Sequence, residues 1–236
     1  MVPEFRRELG MIDLQAGATL PPVAGFPPHW IAHLWEDRLS VKINPKSLKG
    51  PWDGGYALDL HTLSSTFIGH DNFGHARYDT EYSEVGGLLY RLKSKSDQNA
   101  VPLLIDAIEQ FWGMTSRPEI DLIVPVPPSK ARKYQPVILV ATALSERLNI
   151  PLCIECLSKV KQTGQLKDVL QYDKRMEALK NAFAADPVQT EGKNILLFDD
   201  LFRSGATVST ITTALKSEGQ AKAVYLLTLT RTRSNA

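Results

Sequence analysis

From about residue 95 onward, short continuous apolar runs alternate with stretches whose apolar residues recur at helical spacing. Val101, Leu104, Ile105, Ile108 and Phe111 share one helical face over 101–112, and Gly113 stands where a C-capping glycine belongs. Asp121-Leu122-Ile123-Val124-Pro125-Val126 is an apolar run of strand length. After a polar loop the pattern predicts a helix over 137–148, a strand over 152–156 and a helix from Tyr172 to Phe183. Asn194 to Phe198 predicts a buried strand that ends in two aspartates, 207–217 a helix closed by Gly219, and 223–230 a last strand. Strands alternating with helices of roughly 10–15 residues predict an α/β fold, a parallel sheet flanked by helices on both faces.

Before this body the pattern weakens. Val85, Leu88, Leu89 and Leu92 predict a helix over 84–93, and Trp30, Leu34 and Trp35 a short one over 29–39. Six of the fifteen prolines lie in the first 50 residues, and Leu20 to Pro28 supports neither helix nor ladder. The expected organisation is a Pro-rich arm and short helix over 1–50, with 1–28 extended or poorly ordered. An irregular hood over 51–94 follows, made of loops and short strands, and then the α/β domain over 95–236.

Composition narrows the function. The chain has 236 residues, 43% of them hydrophobic and 22% charged, so it can form a globular core and is not a disordered chain. Lys plus Arg is 27 and Asp plus Glu 26, leaving +1 and no general polycation for nucleic acid or membrane. A local patch at Arg231 and Arg233 is the only basis for nucleic-acid contact. No apolar run approaches the roughly 18 residues of a membrane span, and the first 30 residues lack a signal-peptide h-region. Two cysteines form no disulfide framework, so a reducing cytoplasm is the expected setting.

The segment Ile195 to Thr207 carries the most chemistry. Four apolar residues enter the sheet, and Asp199 and Asp200 emerge at the strand's C-terminal end, where open α/β sheets bind ligands. The turn Ser204-Gly205-Ala206-Thr207 leads into a helix, and backbone amides of such a turn cradle anions. Carboxylates beside a phosphate cradle suit a ribose 5-phosphate. The plainer reading makes Asp200 the start of a turn and Thr207 a helix cap.

This run resembles the ribose-phosphate signature of the type I phosphoribosyltransferases, with Arg203 and Ser204 in place of the usual pair of threonines. A second segment, Asp121 to Lys130, ends in Val124-Pro125-Val126-Pro127-Pro128-Ser129-Lys130 and is similar to the pyrophosphate loop of the competence-protein ComF group. Lys161-Gln162-Thr163-Gly164-Gln165, then Arg175 and Asn181-Ala182-Phe183, resemble the same group's pattern, though Thr163 and Gln165 stand one residue too close and Asn181 comes late. The resemblance spans about 85–232, starting at Gly87-Leu88-Leu89-Tyr90-Arg91-Leu92-Lys93.

The resemblance implies a type I phosphoribosyltransferase-like fold with an irregular N-terminal extension or hood. It implies transfer of 5-phosphoribosyl from phosphoribosyl pyrophosphate (PRPP) to a nitrogen nucleophile, with Mg²⁺ bound through the PRPP. Asp199 and Asp200 would be the catalytic pair, holding the ribose diol directly or through the metal. Arg203, Ser204, Gly205, Ala206 and Thr207 would hold the 5-phosphate. Pro128, Ser129 and Lys130 would hold pyrophosphate, aided by Arg132 and Lys133, while Lys161, Thr163 and Gln165 would form a flexible loop that closes over PRPP. Two other readings stay open: a non-catalytic PRPP-binding regulatory module, and an accessory factor in DNA uptake. The partners implied are PRPP and a nitrogen-containing acceptor, and the reading admits a homodimer.

The group's N-terminal four-cysteine zinc site is missing. Cys153 and Cys156 are spaced as half a zinc site or a redox pair, and with no second pair they are expected to be structural thiols. All five histidines (His29, His33, His61, His70, His75) precede residue 76, near Asp59, Asp71 and Asp79; exposed or hydrogen-bonded roles are expected ahead of metal ligation. Trp52 to Thr80 is expected to cap the sheet edge, with Tyr56, Phe67, Phe73 and Tyr78 available to stack on an acceptor.

Overall fold

A computed structural model describes residues 40–128, 134–160, 179 and 181–233. The chain divides into Met1–Leu39 and Ser40–Ala236, and every described residue belongs to the second unit. Its centre is a sheet built from β1 (Lys46–Ser47), β2 (Gly54–Leu60), β5 (Leu122–Pro125), β8 (Asn194–Phe202) and β9 (Ala223–Arg231). Their order across the sheet is β1-β2-β9-β8-β5. β1 runs antiparallel to β2, and all other pairings are parallel.

The middle strands are buried on both faces, which is why they read as unbroken apolar runs. In β8, Ile195 and Leu197 enter one core and Leu196 and Phe198 the other. The first core is closed by α5 (Ala206–Ser217) through Val208, Ile211 and Leu215. The second is closed by α1 (Glu84–Lys95), α2 (Ala100–Met114) and α3 (Pro136–Leu148). Helices on both faces of a parallel sheet are the architecture that the alternating pattern predicts. A four-residue helix, α4 (Pro187–Thr190), and a two-stranded ribbon of β6 (Leu157–Lys159) and β7 (Phe183–Ala185) complete the body.

Several elements differ from expectation. Gly54–Leu60, expected among loops and short strands, is a strand of the main sheet. Its residues pair with β9 from Gly54↔Tyr225 to Leu60↔Arg231. Val41 and Leu48, within the expected arm, are buried core residues. Residues 62–82 form a hairpin of β3 (Thr62–His70) and β4 (Ala76–Tyr82). Gly113 lies inside α2, whose last residue, Met114, is followed by Thr115 in extended backbone. Phe183, expected to close a helix begun at Tyr172, sits in β7; residues 171–178 lie outside the described residues.

The cysteines are also corrected. Cys153 and Cys156 form a disulfide rather than standing as thiols. A bend brings their Cα atoms to 5.6 Å, within the range a disulfide spans, and the Cys156 amide lies 3.1 Å from Cys153 Sγ. The segment expected as a strand over 152–156 keeps only one bridge, Ile123↔Leu152.

Candidate functional site

Parallel pairing sets which chain ends meet. β2, β9, β8 and β5 all deliver their C-terminal ends to one edge of the sheet, where ligands of open α/β sheets bind. β8 continues through Asp199 and Asp200 to Phe202, four residues past the predicted end, because Asp199, Leu201 and Phe202 still pair with β9. Both aspartates therefore project from a hydrogen-bonded strand rather than a loop. Asp199 Oδ1 accepts from the Asp200 amide at 2.8 Å. Burial, and then the charge of Asp200, push the Asp199 carboxyl up to about 8.

Asp200 has a cation of its own. Lys93 Nζ, from the last turns of α1, lies 2.7 Å from Asp200 Oδ2, and both side chains are mostly enclosed. α1 reaches this place because its first turn packs on the backbone after β2. A Cβ at Gly86 would stand 2.0 Å from the His61 carbonyl oxygen, so only glycine fits there. Ser83 caps α1 by accepting from the Gly86 amide at 2.9 Å.

His61, the residue after β2, completes the cluster. Its amide donates to the Arg231 carbonyl at 2.7 Å, and its Nδ1 lies 3.3 Å from Thr230 Oγ1. Thr230 Oγ1 also lies 3.2 Å from the Asp200 carbonyl, so this one hydroxyl links His61 to the carboxylate strand. Burial first, then the charges of Lys93 and Arg203, hold the imidazole below the usual histidine range, against the opposing pull of Asp200. Lys93 and His61 are the site residues that sequence reasoning missed.

The turn after β8 has the form of an anion cradle. Gly205 precedes α5 with φ of +78°, and no side chain caps the helix. The amides of its first turn have no intrahelical partners by construction. Arg203 is exposed, Ser204 and Thr207 are half-buried, and Gly205 and Ala206 are buried. A Cβ at Gly205 would stand 2.8 Å from the Phe202 ring, which itself packs edge-on against Trp52 at 6.0 Å. The loop after β5 leaves the same edge beside these residues: Pro125 pairs with Phe198, and the Val126 amide donates to the Phe198 carbonyl at 2.8 Å. Pro128 is exposed on that loop. Ser129, Lys130, Arg132, Lys133, Lys161, Thr163, Gln165 and Arg175 lie outside the described residues.

The remaining candidates are dispersed. Among the described residues no three His, Cys, Asp or Glu side chains group as a metal site. His75 pairs with Asp71 at 3.2 Å in the hairpin turn, and His70 packs on Phe67 at 5.2 Å. Tyr56 is a sheet residue packed against Phe111 of α2 at 5.2 Å. Among the described residues no helix is long and apolar enough to cross a membrane.

No protein-family model and no curated protein matches the chain. Among solved structures it is similar to glutamine PRPP amidotransferase from B. subtilis, at 21% identity over 64% of this chain and 28% of that one, with a TM-score of 0.38. It is also similar to adenine phosphoribosyltransferases from Leishmania donovani and Saccharomyces cerevisiae. The first aligns at 12% identity over 80% of this chain and 75% of that one, with a TM-score of 0.44. The second aligns at 12% identity over 72% and 84%, with a TM-score of 0.39. The chain thus spans 28% of the length of the amidotransferase. At these scores the likenesses carry no weight for function, which rests on the residues of the site.

Proposed function

We propose that this chain binds PRPP at the C-terminal edge of its sheet and transfers the phosphoribosyl group to a nitrogen nucleophile. One observation carries the reading: two adjacent carboxylates at the end of β8 lead, within five residues, into the uncapped N-terminus of α5. Carboxylates accept hydrogen bonds from a diol, and the amides of a glycine turn at a helix start bind a phosphate. In this reading Asp199 and Asp200 hold the ribose hydroxyls, and Arg203 to Thr207 hold the 5-phosphate. The loop from Pro128, with Ser129 and Lys130, holds the pyrophosphate, and Lys161, Thr163 and Gln165 close over it.

The donor set fits a magnesium ion carried in by PRPP. Oxygen ligands suit Mg²⁺, but Asp200 already faces Lys93 and the Asp199 carboxyl is pushed to about 8, so these two carboxylates alone form no bare divalent site. When bound, the ion would neutralise charge on the departing pyrophosphate. The chain's own contribution is to fix the ribose between the carboxylates and the cradle, so that the bond at C1 faces the open edge.

Thermal unfolding with PRPP and Mg²⁺ tests this. At ligand a hundredfold above its dissociation constant the fold gains about 2.7 kcal/mol. An unchanged melting temperature at millimolar PRPP and Mg²⁺ overturns the ligand assignment.

A further inference from the structure

The Cys153–Cys156 disulfide contributes little as a cross-link. Only Ile154 and Glu155 stand between its ends, and the stabilisation a disulfide gives by constraining the unfolded chain grows with loop length. The core around it does not need the bond either. Both cysteines lie in one apolar cluster with Leu157, Phe183 and Ala185, where a thiol packs as a small apolar side chain. What the bond does is local. β5 is the last strand of the main sheet, and residues 151–153 are strapped along it. The Ile123 amide donates to the Pro151 carbonyl at 2.8 Å, and the Cys153 amide to the Ile123 carbonyl at 2.9 Å. The disulfide closes the bend that turns this strap into β6, where the Asp186 amide donates to the Cys156 carbonyl at 3.0 Å.

The surroundings suit a thiol as well as a disulfide. Gln189, on α4, is oriented by Asp186: a carboxylate only accepts, so the NH₂ of Gln189 faces Asp186 Oδ2 at 3.1 Å. That turns Gln189 Oε1 toward the sulfurs, 3.1 Å from Cys153 Sγ and 3.8 Å from Cys156 Sγ. A disulfide sulfur has no proton to give that oxygen, and a thiol has one. Cys153 Sγ also receives the Cys156 amide at 3.1 Å. A donor and an acceptor for a Cys153 thiol are therefore in place while the bond is closed. The bend is open to solvent at Ile154, which is 45% exposed, and at Glu155. Of the two sulfur-bearing residues Cys153 is the nearer to solvent, 7% exposed against 1% for Cys156.

We propose that Cys153 and Cys156 form a reversible dithiol–disulfide site, opened by a dithiol reductant, and that Gln189 holds its reduced form. A thiolate of the reductant attacks Cys153 Sγ, and the S–S bond breaks with its electron pair on Cys156 Sγ, which takes up a proton. The reductant's second thiolate then attacks the reductant sulfur of the mixed disulfide and releases Cys153 as a thiolate. That thiolate takes up the second proton and donates it to Gln189 Oε1. The reductant leaves as its own disulfide, having given two electrons and two protons. The oxidised chain holds the 151–153 strap closed against β5, and the reduced chain leaves it on its backbone bonds alone. None of this depends on the proposed reaction.

Maleimide labelling of the full folded chain, read by mass after equilibration with mixtures of reduced and oxidised dithiothreitol, tests the site. No label is expected in excess oxidised reagent and one on each cysteine in excess reduced reagent, with the change running in both directions and the far-UV spectrum retained. Gln189→Met keeps the length of the side chain and removes its amide. The bond to Asp186 is lost from both states, but the bond to a thiol only from the reduced one. The ratio of reduced to oxidised reagent at half-reduction is therefore expected to rise about threefold. In hydrogen exchange, reduction is expected to speed the Cys153 and Cys156 amides by about tenfold and leave those of residues 195–198 unchanged. A folded chain that takes no label below its melting transition, or takes it only as the far-UV signal is lost, makes the bond structural and overturns the proposal. So does a chain that excess oxidised reagent cannot close, or a half-reduction ratio unmoved by Gln189→Met.

Discussion

The carboxylate edge and the aromatic ribbon grow from the same stretch of chain, since His61 ends one and Thr62 begins the other, yet they are held by different physics. At the edge, polar groups are tied across elements: Lys93 on Asp200, Thr230 on the Asp200 carbonyl, His61 on Thr230. On the β3–β4 ribbon beyond Tyr82, the Phe67, Tyr78 and Ser65 side chains meet residues of the ribbon itself. Substitutions at the edge should therefore register in stability, proton uptake and ligand binding together. Those on the exposed part of the ribbon should register far more weakly in stability.

The largest test of that contrast is a pair of truncations. Phe198→Ala empties a fully buried site at the root of the carboxylate strand and is expected to cost about 3–5 kcal/mol in urea unfolding. Phe67→Ala, at a half-exposed position on the ribbon, is expected to cost under about 0.5 kcal/mol. Similar losses would mean that the ribbon is part of the core.

Next comes ligand binding. Asp199→Asn with Asp200→Asn keeps shape and removes the acceptor charge, so PRPP affinity is expected to fall by about 2 kcal/mol, near thirtyfold, in calorimetry. Wild-type affinity in the double variant would leave these carboxylates a structural role only. Gly205→Val is expected to lower the melting temperature even without ligand. It forces a branched residue into φ of +78° and drives a Cβ toward the Phe202 ring, so it is a weaker probe of the phosphate cradle than Thr207→Val.

The pH dependence follows from Asp199. Its folded value of about 8 lies above the ordinary carboxylate value, so between about pH 4 and 8 the folded protein holds a proton that the unfolded chain has released. Stability then falls as pH rises through that window. Asp199→Asn is expected to flatten the fall and to gain on the wild type most near pH 8. His61 acts at the other end: its folded value lies below the unfolded one, so its contribution is lost as pH drops below about 6.5. The smallest effect is expected on the ribbon, where Glu81→Gln removes the charge but keeps an oxygen acceptor for the exposed Ser64 contact and should change stability by under about 0.5 kcal/mol.

What the sequence disclosed follows the same division. The run Ile195 to Phe198 is legible because burial on both faces leaves no polar position in it. Asp199 and Asp200 are legible because carboxylates after such a run have little reason to be there except chemistry. Gly54–Leu60 was hidden by its two leading glycines and by Asp59, a buried carboxyl raised by burial, in a short strand with no clear apolar period. Lys93 and His61 were hidden by distance, more than 100 residues from Asp200 in sequence and brought to it only by the β2-β9-β8 order. The one available signal was a basic residue near the end of an amphipathic helix and a histidine directly after a strand. The disulfide was hidden because C-x-x-C spacing fits thiols, metal and disulfide alike, and only the bend over 153–156 selects among them.

The strand order also sets a timetable. β9 lies between β2 and β8, and the Val224 amide bonds to Asp53, 171 residues earlier. The two halves of the sheet share no ladder except through β9, so β2 has no permanent partner on its inner side while residues 54–222 are being made. Contacts this distant in sequence form slowly and leave strand edges bare in the meantime. A nascent chain halted before residue 223 would thus display β2 and β8 as two open templates, which makes the last strand the step at which this protein either closes its sheet or offers it to chaperones.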